Sequence, residues 1–172
     1  MFSLKHETHP LLQQFTFWVT YFKKSKDKQL EEFEDNLKPI TNLDTVEDFW
    51  SLYERMKRPS LLPRGCEFLY FKTGIKPLWE DPSNLNGGRF YVSLKKSQLT
   101  NRIWEDLLIG LMLAGSEFSK LNGVILNVRQ SEIFISIWTK QLDMEENQLY
   151  REWIRKTLEF PNEQSIEYKQ HP

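Results

Sequence analysis

The sequence Gly74-Ile75-Lys76-Pro77-Leu78-Trp79-Glu80-Asp81, continued by Gly87-Gly88-Arg89-Phe90, connects two runs that are typical of β-strands. Pro77 and Pro82 keep the segment out of helix, so a Trp and two carboxylates stand on a loop. A Trp on a loop can lie against a planar ligand, and the neighbouring Glu can accept two parallel hydrogen bonds. Guanine offers such a pair of donors. This stretch alone slightly favours the alternative, a Trp that plugs the edge of the core beside two solvated acids.

The strands and helices on either side of this loop follow from periodicity. Strands are predicted at 15–22, 36–43, 66–72, 89–95, 123–128, 133–138 and 165–169, and helices at 46–56, 101–113 and 145–158. Thr45 and Asp48 approximate a capping box, Gly115 is expected to stop the second helix, and Leu149 is expected to face inward on the third. Pro39 argues for an edge strand or an irregularity.

The order of these elements predicts an α+β fold. Few crossovers and several hairpins indicate a single, mostly antiparallel sheet with three helices on one face. Residues 1–8 are polar and unpatterned and are interpreted as a mobile arm, and residues 9–172 as one domain.

The composition limits the classes of function. Lys and Arg number 23 against 24 Asp and Glu, so nucleic-acid binding would need a local cluster of cations. Aromatic residues make up 14% of the chain, a supply that suits both core packing and base stacking. The lone Cys66 excludes an internal disulfide framework and fits a reducing compartment. With three His there is no metal-ligand spacing, and no apolar run reaches membrane-spanning length. We therefore expect a soluble, intracellular protein without a metal site or a membrane span. We further expect a cytoplasmic monomer that uses no cofactor.

The sheet face opposite the helices carries polar and aromatic side chains. Asn127 and Arg129 share one face of their strand, and Phe134, Ser136 and Trp138 share one face of the next. A cation beside polar and aromatic groups suggests anion binding, and Arg89 would be a second such cation. The alternative for Arg129 is a salt bridge at a strand end.

Together these residues resemble the eukaryotic translation initiation factor 4E family of messenger-RNA cap-binding proteins. The resemblance is carried by His9-Pro10-Leu11, Thr45-Val46-Glu47-Asp48-Phe49-Trp50, the 74–81 stretch, Gly87-Gly88-Arg89, Asn127-Val128-Arg129 and Ile137-Trp138. It implies a curved antiparallel sheet with three helices on its convex face and the 7-methylguanosine cap in its concave face. It also implies a binding protein that is not an enzyme.

The resemblance assigns roles to particular residues. It makes Phe33 and Trp79 the two faces of an aromatic sandwich, Glu80 the reader of the base edge, and Trp138 the contact with the methyl group. Arg129 and Arg89 would hold the phosphates. A cationic base gains about 1–3 kcal/mol from stacking and about 0.5–2 kcal/mol from a cation–π contact.

Three positions depart from the initiation-type pattern. Phe33 and Phe15 stand where that type has Trp, and both resemble the class containing the 4E-homologous protein. Phe134 stands where the initiation type has a phosphate-binding Lys, and Lys140 is the candidate to replace that charge. We expect weaker cap affinity than a two-Trp sandwich gives, because Phe is a poorer cation–π platform than Trp.

The resemblance also implies a partner groove on the helical face, where a helical peptide with the pattern Tyr, four residues, Leu and a hydrophobic residue docks. Its residues here would be His9, Pro10, Val46, Trp50, Asp106 and Ile109. Glu105 stands where the initiation type has Leu, which would weaken the usual scaffold partner or select another.

Two other classes of function stay open at this point. One is an interaction module that uses only the groove. The other is a hydrolase with Glu80 and Asp81 as an acid pair, although adjacent residues of an extended segment point to opposite faces. Initiation and repression of translation are both compatible with the sequence.

Overall fold

The structure, a computed structural model, describes residues 7–21 and 37–172. The strands within these ranges are β1 Pro10–Tyr21, β2 Lys38–Thr45, β3 Cys66–Lys72, β4 Gly88–Lys95, β5 Leu121–Val128, β6 Glu132–Thr139 and β7 Glu167–Gln170. The α-helices are α1 Val46–Tyr53, α2 Gln98–Leu113 and α3 Met144–Thr157, and short 3-10 turns lie at Pro59–Leu61 and Ser116–Phe118. No helix in the described part of the chain is long and apolar enough to cross a membrane.

The seven strands form one curved, open sheet in the order β2-β1-β3-β5-β6-β4-β7. Every neighbouring pair is antiparallel. The predicted α+β class and the antiparallel sheet are therefore confirmed. Pro39 lies on β2, the edge strand, beside a register shift between Phe17 and Trp18, as its missing N–H requires.

Alternation along the strands separates two faces. On β6, Ile133, Ile135 and Ile137 are fully buried in the main core, which the helices cover. Phe134 and Ser136 between them face the other side and stay partly exposed. Among the described residues, that second side has a smaller apolar cluster, made by Leu37, Leu69, Phe71 and Trp138.

Local signals set the start of α1 as predicted. The Asp48 amide donates to Thr45 Oγ1 at 3.1 Å, and the Thr45 amide donates to Asp48 Oδ2 at 3.1 Å. Helix α2 begins at Gln98, three residues before the predicted start. The periodicity missed this first turn because its apolar residue, Leu99, is exposed and does not continue the buried stripe of the helix.

Two predicted details of the helices are wrong. Helix α2 ends at Leu113 with an extended Ala114, and Gly115 has φ −72°, so its conformational freedom is not what stops the helix. Leu149 is 44% exposed, because α3 instead turns Tyr150 and Ile154 into the core. The Tyr150 hydroxyl accepts from the Lys120 amide at 3.1 Å, which fixes that rotation of the helix.

Candidate functional site

The side of the sheet away from the helices borders a cavity of about 1160 Å³. Strands β3 to β7 and the loop between β3 and β4 supply its walls. Its lining includes the predicted site residues Trp79, Glu80, Arg89, Arg129 and Trp138, together with Glu67, Lys76, Tyr91, Ile125, Asn127, Phe134, Ser136 and Lys169. Five residues that sequence reasoning picked from four separate segments therefore lie around one space.

Trp79 projects from the loop rather than plugging the core. Its side chain is 44% exposed at the cavity wall, and Glu80 beside it is exposed as well. Asp81 has a different task. Its two carboxylate oxygens accept from the amides of Lys76 at 2.9 Å and Ser83 at 2.8 Å, so this carboxylate closes the loop on itself.

A buried asparagine pair holds the same loop against the sheet. Asn84 is fully buried, and its amide group donates to the carbonyl oxygens of Lys76 and Leu78 at 2.9 and 2.8 Å. The side chain of Asn122 on β5 donates to Asn84 Oδ1 at 2.9 Å and to the Ser83 carbonyl at 2.7 Å. The loop that carries Trp79 is thus fastened to the sheet at the positions on either side of the Trp.

The Gly-Gly sequence after the loop is explained by close approach of two strands. A Cβ on Gly87 would collide with the backbone carbonyl of Thr139, so β4 can meet β6 at this point only through a glycine. Asn86 before it takes φ 63°, in the left-handed region that Asn tolerates. Arg89 consequently enters β4 directly opposite Trp138.

Trp138 forms the floor beside Trp79 and is only 5% exposed. Its ring meets Phe71 edge-on at 5.6 Å and lies 4.2 Å from the ring of His171. Burial, with a smaller contribution from the charge of Arg89, lowers the pKa of His171 to about 4. His171 is therefore neutral at physiological pH and acts as an apolar backing for Trp138.

Trp138, Tyr91 and Phe134 form the aromatic floor of the cavity, and the two predicted arginines lie near its ends. The Arg89 guanidinium carbon lies 5.9 Å from the Trp138 ring centroid, and that of Arg129 lies 5.0 Å from the Phe134 ring centroid. Within 4.0 Å neither arginine has a carboxylate partner among residues 7–21 and 37–172. The structure thus leaves both charges available to an anion in the cavity.

Sequence reasoning missed Glu67, a carboxylate buried in the cavity wall. It is 8% exposed, and one of its oxygens accepts from the Asn127 side chain. Burial raises its pKa, against smaller opposing effects from Asn127 and from the charge of Arg129. The available signal was its place in Cys66–Lys72, where alternation puts a Glu on the same face as Leu69 and Phe71.

The two remaining predicted cavity residues have different outcomes. Phe33 lies outside the described residues. Lys140 is exposed at the end of β6 remote from Arg129, and it does not line the cavity. Its charge instead lowers the pKa of Lys72, whose own burial has the larger effect. The lysines that do line the cavity are Lys76 and Lys169.

The predicted groove residues lie on the helical side of the molecule. The Val46 amide donates to the His9 carbonyl at 2.9 Å, which joins the start of α1 to the residues before β1. The His9 amide and Nδ1 contact Glu47 at 2.9 and 2.6 Å, and these contacts lower the Glu47 pKa to about 2. His9 and Pro10 are exposed beside Val46.

Trp50 and Ile109 are the apolar members of this surface. Both are partly buried and pack against the main core from α1 and α2. Asp106 is held by Arg102 at 3.4 Å. Glu105, the residue that departs from the initiation type, lies 3.6 Å from Arg58, whose guanidinium covers the Tyr53 ring at 4.5 Å.

Residues 10–172 match the family model described as eukaryotic initiation factor 4E. The chain belongs to this family. A relative in Oryza sativa subsp. japonica, the eukaryotic translation initiation factor NCBP, is 36% identical over 98% of this chain and 74% of its own. Eukaryotic translation initiation factor 4E-4 of Caenorhabditis elegans is 35% identical over 96% of this chain and 78% of its own.

Solved members of the 4E family share the whole fold. The Ascaris suum eIF4E-3 structure with the m7G cap is 33% identical, covers 96% of this chain and 93% of its own, and has a TM-score of 0.88. The C. elegans eIF4E-3 structure, a complex with the 4E-binding protein Mextli and a cap analog, is 33% identical over 96% of this chain and 94% of its own, with a TM-score of 0.87. The resemblance inferred from scattered motifs is thereby confirmed at the level of family and fold.

Proposed function

We propose that this 4E-family chain binds the 7-methylguanosine cap of messenger RNA in the cavity and acts on translation in the cytoplasm. One observation carries the proposal: exposed Trp79 and Glu80 stand at the wall of a cavity that also holds Trp138, Arg89 and Arg129. Two solved family members, which are complexes with the m7G cap and with a cap analog, support the choice of ligand.

The base would be held by aromatic faces and one carboxylate. Trp79 stacks on one face of the cationic ring, and Glu80 accepts the ring N–H and the exocyclic amine on the base edge. Trp138 contacts the methyl group from the floor, where Phe71 and His171 restrict its movement. Phe33 supplies the second face in this proposal, on the basis of the resemblance of the 33–37 segment to the family.

The phosphates would lie over the part of the floor between Arg89 and Arg129. Both guanidinium groups border the cavity, and neither has a carboxylate within 4.0 Å in the described part of the chain. Guanidinium groups hold phosphate oxygens through paired, charge-assisted hydrogen bonds.

The arrangement of Glu80 and Asp81 fits ligand binding better than it fits catalysis. Asp81 already accepts two backbone amides, so Glu80 and Asp81 do not form an acid pair that faces one substrate. Turnover of capped RNA by the purified protein would contradict this part of the proposal.

The cap proposal is tested by fluorescence titration with 7-methylguanosine triphosphate and with guanosine triphosphate. The methylated ligand should bind more tightly, because the cation–π contribution is about 0.5–2 kcal/mol, or roughly 2- to 30-fold. Glu80→Ala should weaken binding about 10- to 100-fold, as loss of charge-assisted hydrogen bonds predicts. Glu163→Ala, an exposed acid away from the cavity, is the matched control. Equal affinity for the two nucleotides is incompatible with the aromatic cage.

We also propose that the helical face binds a helical peptide with the pattern Tyr, four residues, Leu and a hydrophobic residue, which contacts His9, Pro10, Val46, Trp50, Asp106 and Ile109. Two solved relatives are complexes with the 4E-binding proteins Mextli and 4E-BP. The partner bound here decides whether cap binding promotes or represses initiation.

Two tryptophan variants separate the two surfaces. Trp50→Ala should weaken a labelled peptide of this pattern about 10-fold or more, as removal of an aromatic anchor predicts, while cap affinity stays unchanged. Trp79→Ala should weaken cap binding and leave peptide binding unchanged. Peptide affinity that is insensitive to Trp50→Ala would exclude this face as the groove.

A further inference from the structure

Lys169 on β7 lines the cavity, although sequence reasoning assigned it no role in the site. It lies directly across the strand pair from Arg89, and both residues line the cavity. Arg89 is in turn directly opposite Trp138 on its other side. A lysine, an arginine and the floor tryptophan therefore form one row across β7, β4 and β6.

The ammonium group of Lys169 is held over the floor. Its Nζ lies 5.7 Å from the Tyr91 ring centroid. Tyr91 stacks on Phe134 with centroids 5.4 Å apart and planes 25° apart, and Phe134 carries the Arg129 guanidinium at 5.0 Å. The stacked aromatic pair thus has one cation beside each of its rings.

This arrangement has an electrostatic cost that an anion would remove. Like charges directly opposite each other on neighbouring strands are destabilising, and Arg89 and Lys169 occupy such positions. The carboxylate near Lys169 is Glu167 at 3.5 Å, but both side chains are 60% exposed. A pair so exposed is screened by solvent and contributes little, so the row keeps a positive potential toward the cavity.

The backbone presents Lys169 from a fixed position. A Cβ on Gly88 would lie 2.5 Å from Tyr168 Oη and 2.7 Å from the Lys169 carbonyl, so the glycine lets β7 approach β4. The Tyr168 ring packs 4.8 Å from that of Phe90, and the His171 amide donates to the Gly87 carbonyl at 3.0 Å. The strand is therefore fastened on both sides of the lysine.

We propose that Lys169 is a phosphate-binding residue of this site, acting with Arg89 on the phosphate chain of the nucleotide. The inference rests on the proposed cap-binding function and extends it. The family resemblance places Phe134 where the initiation type has a phosphate-binding lysine, and Lys140 does not reach the cavity. Lys169 restores the charge from a different strand, and Phe134 becomes part of the aromatic floor.

The test compares ligands that differ only in phosphate number. Lys169→Gln should weaken 7-methylguanosine triphosphate about 3- to 10-fold, the effect of one partly exposed charged contact, and should leave the 7-methylguanosine nucleoside within about 2-fold. The affinity of the variant for the triphosphate should also depend less steeply on salt concentration, because one screened charge contact is removed. Lys169→Arg should retain most of the affinity.

Lys156→Gln, an exposed lysine on α3 at the opposite side of the sheet, is the matched control and should change neither ligand's affinity. Equal weakening of the nucleoside and the triphosphate by Lys169→Gln, or no weakening of either, would overturn the proposal. Loss of triphosphate affinity in Lys140→Gln but not in Lys169→Gln would overturn it too.

Unmethylated guanosine triphosphate separates this inference from the proposed function. If the unaltered protein does not prefer the methylated triphosphate, the cap proposal fails. A loss of guanosine triphosphate affinity in Lys169→Gln would then still support the phosphate contact, and an unchanged affinity would reject it.

Discussion

The two faces of the sheet differ by a single residue step along each strand, yet they have opposite properties. On β6 the step from Ile135 to Ser136 leads from the fully buried main core to the cavity wall. On β3 the step from Phe68 to Glu67 leads from that core to a buried carboxylate of the cavity. The helix-covered face supplies the stability of the domain, so the other face is free to carry charges and exposed rings.

The difference between the two faces is tested most directly by truncating two neighbouring residues of one strand. Ile135→Ala should lower the free energy of unfolding by about 3–4 kcal/mol, because it leaves a cavity in a packed core. Ser136→Ala should change it by less than about 0.5 kcal/mol, since that side chain borders open space. Urea unfolding monitored by tryptophan fluorescence measures both.

The same pair of variants also tests whether the faces are independent in function. Folded Ile135→Ala should bind the cap analogue as the unaltered protein does, when affinity is measured well below its unfolding midpoint. Similar losses of stability from both substitutions would show that the cavity face is part of the core, and the division between the faces would be wrong.

The sequence predicted the features that depend on residues close together along the chain, and it missed features that depend on contacts between distant segments. The strand Cys66–Lys72 and the Thr45/Asp48 cap depend on neighbouring residues, so periodicity and capping rules found them. Trp79, Glu80, Arg89, Arg129 and Trp138 were found through motifs, and the fold brought them to one cavity.

The details that were missed depend on contacts between distant segments. Asn84 and Asn122 are 38 residues apart, and neither carries a local pattern that indicates burial. Lys169 comes to Arg89 only through the pairing of β4 with β7, which sequence reasoning did not assign. The rotation of α3 away from Leu149 depends on the bond between Tyr150 and the Lys120 amide, again a tertiary contact.

The next largest effect concerns the fastening of the Trp79 loop. Asn84→Ala should cost about 2–3 kcal/mol of stability, because three hydrogen bonds are lost: those from the Asn84 amide group to the Lys76 and Leu78 carbonyls, and the one from Asn122 to Asn84 Oδ1. Cap affinity should fall as well, although Asn84 does not line the cavity, since the loop no longer fixes Trp79 and Glu80. Thermal unfolding and the fluorescence titration provide the two measurements.

Ser83→Ala is the control for that experiment. Ser83 holds the loop through its backbone, whose amide and carbonyl contact Asp81 and Asn122, so the substitution keeps both bonds. Stability and affinity should both stay near those of the unaltered protein. Asn84→Ala with unchanged cap affinity would mean that the loop is positioned by the ligand and not by the asparagine pair.

The smallest predicted effect is a pH dependence of the free energy of unfolding that comes from His171, the residue packed against Trp138. The pKa of His171 is about 4 in the fold against an ordinary value of 6.5, chiefly because of burial. Between these values the unfolded chain binds a proton at this residue and the folded chain does not. Its contribution therefore makes stability fall as pH is lowered through this window. Allowing for partial screening by solvent, this contribution is about 1–2 kcal/mol.

His171→Phe isolates this contribution, because the ring against Trp138 is kept and the proton site is removed. The experiment compares the variant with the unaltered protein, because Glu67 also changes the pH dependence of stability. Burial raises the pKa of Glu67, so its contribution has the opposite sign. The free energy of unfolding should decline more steeply for the unaltered protein than for His171→Phe from about pH 7 to about pH 4.5. Parallel curves would show that His171 is solvated, and the apolar backing assigned to it behind Trp138 would have to be abandoned.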